Sequence, residues 1–258
     1  MTKAVPDILA QIVEQKKRDL GRVTDELERR AELASARRRD FASSLTTARP
    51  AIIAEIKKAS PSRGVLAPDF DPRAIAISYE RGGAAAISVL TDAPNFQGSI
   101  EHLEAARSAV QIPVLRKDFT IDRYHVVEAA ACGADAILLI AAILPEQQMR
   151  DFRELAARYG MAALVEVHDE DELPAALASG ARIIGVNNRN LRTFQVDIGV
   201  SLRLAEKIPS TVVRVAESGV HTADDVRRLH AAGYQAFLVG EHLMKSDDPS
   251  KALAELLS

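Results

Sequence analysis

The sequence predicts an α/β fold of the closed (β/α)8 barrel class, and three observations carry that prediction. The first is a recurring pattern in which a helix ends in small residues and glycine and an aliphatic run follows at once. Gly82-Gly83-Ala84-Ala85 leads into Ala86-Ile87-Ser88-Val89-Leu90, and Cys132-Gly133-Ala134-Asp135 into Ala136-Ile137-Leu138-Leu139-Ile140. Ser179-Gly180-Ala181-Arg182 leads into residues 183–186, and Ala232-Gly233-Tyr234-Gln235 into residues 236–239. Glycine just past a helix end suits the left-handed cap, and short runs that are apolar on both faces are what a parallel sheet buries. Second, residues 51–56, 114–118, 163–167 and 212–217 bring the strands to eight, alternating with helical patterns. Third, the 258 residues match the size of one such barrel, about 250. An open doubly wound sheet is the structural rival. It would carry a G-x-G-x-x-G turn after its first strand, and none follows Ile56.

In chain order, two helices are expected before Pro50. Ile8, Leu9, Ile12, Val13 and Leu20 mark one apolar stripe, and Val23, Leu27 and Leu33 continue into a second. Residues 1–49 read as a helical extension and 50–258 as the barrel, together one domain spanning 1–258. The stripe must bury somewhere, most simply against the barrel, a partner protein being the alternative. After the first strand, Lys58 to Phe70 form a long loop with Pro, Ser and Gly, a candidate lid. The basic runs Lys16-Lys17-Arg18 and Arg37-Arg38-Arg39 lie in charge-mixed helical stretches and read as solvated faces.

Composition narrows the function. Thirty-three basic against 36 acidic residues leave a net charge of −3, so the chain carries no nucleic-acid signature. A hydrophobic fraction of 47% excludes disorder. The only cysteine, Cys132, excludes an internal disulfide, a CxxC redox pair and a cysteine metal site, and its place at a helix end reads as packing. The start of the chain lacks the apolar core of a signal peptide, and no run approaches the length of a membrane span. A soluble, cytoplasmic monomer is expected, with no membrane partner and no pathway partner specified.

Charge is placed on the strands in a way that points to chemistry. In the first strand Ile52, Ala54 and Ile56 are purely apolar and should face the helices, which turns Ile53, Glu55 and Lys57 inward. The same parity turns inward Lys117 on the third strand, Glu166 on the fifth, Asn187 on the sixth and Glu217 on the seventh. All lie at strand C-termini, where barrel active sites form. A structural ion-pair network is the competing reading. A mouth that only needed filling would use apolar residues, whereas two lysines among carboxylates can set acid and base pKa values apart. Ser218-Gly219 closes the seventh strand and Gly240-Glu241 the eighth, the loops from which barrel phosphate sites are built. The ligand would then be a phosphorylated small molecule, with Lys57 or the first loop as counter-charge. Phe96, Phe119 and Leu138 near strand ends could form a slot for a flat ring. Glu166 and His168 alternate and could be two metal ligands. No third is evident, and His168 opens an acidic run, Asp169 to Glu172, that looks like a helix N-terminus. No metal is expected. Ser62, Ser88 and Ser218 lack a histidine–carboxylate partner in the sequence, and nothing resembles a nucleophile elbow.

Ile53-Ala54-Glu55-Ile56-Lys57-Lys58-Ala59-Ser60-Pro61-Ser62 closely resembles the first-strand signature of the indole-3-glycerol phosphate synthases of tryptophan biosynthesis. The likeness continues through Ser88-Val89-Leu90-Thr91-Asp92, Phe96-Gln97-Gly98-Ser99, Val114-Leu115-Arg116-Lys117-Asp118-Phe119 and Leu164-Val165-Glu166-Val167-His168. It extends through Gly185-Val186-Asn187-Asn188-Arg189-Asn190-Leu191, Ala216-Glu217-Ser218-Gly219-Val220 and Leu238-Val239-Gly240-Glu241, covering essentially the whole chain. The resemblance implies a cofactor-free (β/α)8 TIM barrel, a carbon–carbon lyase that closes the indole ring of 1-(2-carboxyphenylamino)-1-deoxyribulose 5-phosphate with loss of CO2 and water. It implies that Lys117 is the general acid, that Glu166 and Lys57 assist later proton transfers with Glu55 nearby, and that Asn187, Arg189 and Glu217 position substrate, beside Ser218. Lys57, Ser60, Gly219, Gly240 and Glu241 would line the phosphate, and Pro61, Phe96, Phe119, Leu138 and Leu191 the anthranilate ring. One departure is His242, where many relatives carry a small residue such as serine. A phosphosugar isomerase on a related barrel, or a catalytically silent ligand-binding barrel, are the alternatives. The lysines and carboxylates speak against both.

Overall fold

The computed structural model describes residues 7–47, 49–60, 64–67 and 69–258. Strand β1 (Ala51–Ile56) is followed by a small antiparallel hairpin, β2 (Ala59–Ser60) and β3 (Gly64–Val65), inside the expected lid loop. Then come β4 (Ala86–Leu90), β5 (Val114–Lys117), β6 (Ala136–Ile140), β7 (Ala162–Val167), β8 (Ile183–Asn187), β9 (Val213–Glu217) and β10 (Ala236–Val239). Apart from the hairpin, each strand pairs in parallel with its sequence neighbours, and β1 closes on β10. This is the predicted eight-stranded barrel, with strand ends within a residue of the expected ones.

Side-chain parity follows the sequence. Ile52, Ala54, Ile56, Ile87, Val89, Val165, Ile184 and Phe237 belong to the apolar layer between sheet and helices. Ile53, Leu115, Leu138, Leu164, Ile183, Val215 and Leu238 fill the barrel interior. All six residues of β1 are buried, so a charged Glu55 there is tolerable only at the mouth, where partners can reach it.

The outer helices are α4 (Pro72–Arg81), α5 (Ala93–Phe96), α6 (Ile100–Ala109), α7 (Arg123–Ala131), α8 (Glu146–Arg158), α9 (Leu173–Ala178), α10 (Gly199–Ala205), α11 (Ala223–Ala231), α12 (Glu241–Met244) and α13 (Pro249–Leu256), preceded by α1 (Asp7–Arg18), α2 (Asp25–Ser35) and α3 (Phe41–Ser44). Local chemistry starts many of them. Asp71 caps α4, with Pro72 at its first position, and Asp92, Ser99 and Asp122 cap α5, α6 and α7. Thr222 and Asp225 form a reciprocal capping box on α11. Each such cap stabilises its helix by about 1 kcal/mol. Gly133, at φ 89°, turns the chain out of α7 toward β6. Among the described residues no helix is long and apolar enough to cross a membrane.

The extension departs from its expected form in three ways. A third helix, α3, was not anticipated: Phe41 and Leu45 join the interior cluster with Ala51, Ile53 and Ala86 and seal the N-terminal end of the barrel. The apolar stripes are shorter than drawn, because Leu20 and Leu33 are 37% and 63% exposed while Ala31 is the residue α2 buries. The basic runs are not solvated faces throughout. Arg38 donates to the carbonyls of Ala130, Ala134 and Tyr159, and Arg39 to those of Arg107 and Ile112. Guanidinium groups there satisfy carbonyls that the ends of α6, α7 and α8 leave open. Lys16, on α1, lies 2.6 Å from Asp118 Oδ1 and 3.1 Å from Asp92 Oδ1. The stripe itself buries against the barrel as expected, with Leu9 and Ile12 facing its mouth.

Candidate active site

Strand register brings the charged residues together. Lys117 sits beside Leu90, Glu166 beside Ile140 and Gly185, and Glu217 beside Asn187 and Leu238. Lys117 Nζ donates to Glu166 Oε2 at 2.9 Å and lies 3.4 Å from Glu217 Oε2. Lys57 Nζ donates to Glu55 Oε1 at 2.6 Å. Two glycines make the room. A Cβ on Gly185 would run into Glu217 Oε1, and a Cβ on Gly240 into Glu55 Oε1. Gly240 is visible in the sequence as a glycine of a candidate phosphate loop, but the tight packing of carboxylate on backbone at Gly185 leaves no signal in a strand pattern.

The buried charges set one another's protonation. Burial by itself would lower Lys117, but Glu166, Glu217 and Glu55 outweigh it and push the lysine up, so it is an ammonium. Burial by itself would raise Glu166. Lys117 and His168 overcome this and hold it well below the usual carboxylate range. Glu217, 1% exposed, is pushed up chiefly by burial and further by the charge of Glu166, with Lys117 opposing. Neither Glu217 oxygen has a hydrogen-bond partner among the described residues. Two carboxyl groups flanking one ammonium are thus split, one ionised and one inclined to hold a proton.

The acidic run after His168 leads into α9, which begins at Leu173 with Glu172 as its N-cap, and the imidazole lies between Glu166 and Glu172. The metal reading of Glu166 with His168 finds no third ligand, since no group of three or more His, Cys, Asp or Glu is gathered to hold an ion among the described residues. Cys132 is buried at the end of α7, its thiol donating to the Ala129 carbonyl, as packing requires.

A cavity of about 490 Å3 opens over this cluster. Glu55, Lys57, Lys117, Glu166, Asn187 and Glu217 line it, as do Ser60, Arg189, Ser218, Gly219, Gly240 and Glu241. So do Phe96, Phe119, Leu138 and Leu191; Pro61 lies outside the described residues. Phe96 comes from α5, not from a strand end, and faces Phe119 with ring centroids 6.4 Å apart. The loops after β8 and β9 are stitched together, because Asn187 Oδ1 accepts from Ser218 Oγ at 2.9 Å and from Arg189 N at 3.0 Å. Ser218 adopts φ 66°, a left-handed conformation that costs a non-glycine residue roughly 1 kcal/mol or more and that the stitching holds. The Glu241 carboxylate lies 2.6 Å from Lys245 Nζ and 3.8 Å from Arg189.

Sequence reasoning missed several wall residues. Leu9 and Ile12 carried a signal in their stripe, though not one that said which end of the barrel they cover. Phe194, Val196, Val220 and His221 also line the cavity and lie in loops without periodicity. The rings of His221 and His242 meet edge-on with centroids 6.1 Å apart. Burial, then the neighbouring His221, pushes His242 down, so it is neutral near pH 7.

A closed parallel barrel with two lysines among three carboxylates at its C-terminal mouth defines a (β/α)8-barrel enzyme that works through side-chain acids and bases. The family model described as indole-3-glycerol phosphate synthase matches residues 2–256. The chain belongs to the indole-3-glycerol phosphate synthase family. It is 54% identical over 237 residues to the synthase of that name from Koribacter versatilis, covering 91% of this chain and 90% of the relative. Against the synthase from Albidiferax ferrireducens it is 49% identical over 260 residues, 98% of each chain. The solved structure of N-acetylmannosamine-6-phosphate 2-epimerase from Clostridium perfringens shares the fold at 14% identity and a TM-score of 0.62, over 79% of this chain and 92% of that one.

Proposed function

We propose that the chain catalyses the reaction of its family, ring closure of 1-(2-carboxyphenylamino)-1-deoxyribulose 5-phosphate to indole-3-glycerol phosphate with release of CO2 and water. The observation that supports it most directly is the Lys117 ammonium held between Glu166 and Glu217 at the floor of the cavity. When the aromatic carbon bearing the carboxylate attacks the ketone, negative charge develops on the carbonyl oxygen. Lys117 protonates that oxygen as the C–C bond forms. The ring is left cationic, and the electron pair of the C–CO2 bond returns to it as CO2 departs, so no cofactor is needed as an electron sink. Dehydration then requires a proton for the departing hydroxyl and a base for the ring proton. Lys57 supplies the first and the ionised Glu166 accepts the second, with Glu55 holding Lys57 in place.

Asn187, Arg189, Ser218 and Glu217 position the sugar chain. The phosphate sits against Lys57 and Ser60 and the backbone at Gly219, Gly240 and Glu241, and the neutral His242 adds no charge there. Phe96, Phe119, Leu138 and Leu191, with Pro61, hold the anthranilate ring. Residues 1–49 belong with the barrel as one domain, since α1 supplies Leu9 and Ile12 to the cavity wall.

The test is to add this substrate to purified protein, with no cofactor, and to follow indole fluorescence. Appearance of indole-3-glycerol phosphate supports the assignment; folded protein that yields no product overturns it.

A further inference from the structure

His168 has no part in the reaction as derived so far, yet its surroundings are unusual for a histidine. Its side chain is only 8% exposed. Nε2 lies 3.0 Å from Glu166 Oε1 and Nδ1 lies 3.2 Å from Glu172 Oε2. Glu172 Oε2 also accepts from the His168 backbone N–H at 2.7 Å, which fixes that carboxylate in place. A neutral imidazole has one N–H and one bare lone pair, and a lone pair turned on a carboxylate is repelled. Nε2 makes no aligned hydrogen bond, but each nitrogen stands within 3.2 Å of a carboxylate oxygen, and two negative charges so close to one ring favour the imidazolium.

The consequence reaches the mouth of the barrel. Glu166 has Lys117 on one oxygen and His168 beside the other, whereas Glu217 has Lys117 alone, at the longer distance. The groups run in order as Glu172, His168, Glu166, Lys117 and Glu217, with Glu55 and Lys57 across the cavity. Without a second cation, Glu166 and Glu217 would compete for one lysine, and like charges so close do not both stay ionised. We infer that His168 is a positioning residue that breaks this tie, keeping Glu166 as the ionised base and leaving the proton of the pair on Glu217. The inference rests on the proposed role of Glu166 in proton transfer. Burial alone would lower His168; the two carboxylates outweigh it and raise the ring to about 10, in keeping with a permanent imidazolium at working pH.

The experiment is the pH profile of kcat for wild type, His168→Gln and Glu172→Gln, with melting temperature followed alongside. Glutamine keeps a donor near Glu166 and removes the charge. In H168Q the acidic limb moves up by about one pH unit, so kcat falls about tenfold relative to wild type at a pH below both limbs and stays within about threefold of it at pH 9. KM changes little. E172Q weakens the hold on the imidazolium and shifts the limb in the same direction by less. An equal loss of kcat at every pH, or a limb that does not move, overturns the inference even if the melting temperature falls. Should H168Q fail to fold, E172Q decides alone: a shifted limb supports the inference and an unmoved one sinks it. A wild-type protein that makes no product would instead defeat the assigned reaction. A Glu166→Gln variant that keeps its rate would defeat the role of Glu166, and neither result resembles an unmoved limb.

Discussion

In the proposed reaction Lys117 is the acid, and Glu166, Glu217 and Glu55 hold it as an ammonium. Removing the ammonium would take away an interaction that strengthens as the ketone oxygen gains charge, while the cavity wall proposed to hold the ring and phosphate stays in place. Lys117→Ala is expected to lower kcat by about a thousandfold or more and to leave substrate affinity within about tenfold. Single-turnover kinetics with equilibrium binding measures both, and an unchanged rate would remove Lys117 from the mechanism. Gly185 works by what it lacks. In Gly185→Ala the new methyl meets Glu217 Oε1 and approaches Leu164 Cδ1 to 3.2 Å, so Glu217 must shift off the Lys117 side of the pocket. A stability loss of about 1–3 kcal/mol in urea, together with reduced kcat, is the expected outcome. Charge placement at strand ends was readable from parity alone for Glu55, Lys57, Lys117, Glu166 and Glu217. The glycine that admits Glu217 was not, because side-chain clearance across two strands has no one-dimensional trace.

At the scale of elements, α1 is held to the barrel mouth by apolar burial of Leu9 and Ile12 and by Lys16, which is 14% exposed against Asp118 and Asp92. Asp118 directly follows Lys117, the last residue of β5, so the helix is tied to the loop that begins at the proposed acid. Arg116 shares Asp118 at 3.1 Å and reaches Glu128 on α7 at 2.7 Å, so the loop is braced from inside as well. Lys16→Met keeps the apolar stem and deletes the charge. It should cost about 1–3 kcal/mol, less than an unbraced buried pair because Arg116 remains. Amide exchange in α1 should rise well before exchange in the strands does, and equal exchange in both would show that the lysine does not secure the helix. The extension shows how a basic run misleads. Lys16, Arg38 and Arg39 sit in runs that look solvated, yet Lys16 reaches two buried carboxylates and the two arginines reach carbonyls at helix ends. Sequence composition counts charges; it does not say which of them folds inward.

For the whole molecule, the buried charges tie stability to pH from both sides. His168 is raised to about 10 when folded, above its ordinary 6.5. Its contribution is complete below 6.5 and is lost as pH rises toward 10, since the unfolded chain sheds the proton first. Glu217, also raised, acts in the same sense, and its contribution declines as pH climbs above the ordinary carboxylate value. Asp118 and Glu166 are lowered, the first because Arg116 and Lys16 outweigh its burial, so what they contribute is present at neutral pH and is lost as pH falls through the acid range. His125 is lowered to about 4 chiefly by burial, and its neutral form costs stability as pH drops from 6.5 toward that value. Melting temperature should therefore peak near neutral pH and fall on both flanks. Calorimetry across pH 4 to 10 measures this, with the alkaline fall flatter in H168Q; a fall that H168Q leaves as steep would show that the imidazolium does not contribute.

The sequence by itself determined the barrel, its strand parity and the ring of inward charges, because strand parity is local and recurs in all eight strands and helix-ending glycines mark the entry to four of them. The family motifs likewise lie in short contiguous runs. Only the tertiary structure decided which charge pairs with which. The split between Glu166 and Glu217, the reach of Lys16 and Arg38, and the plug of Phe41 and Leu45 all depend on groups far apart in the chain. Burial and distance set those interactions, and neither has a period along the chain.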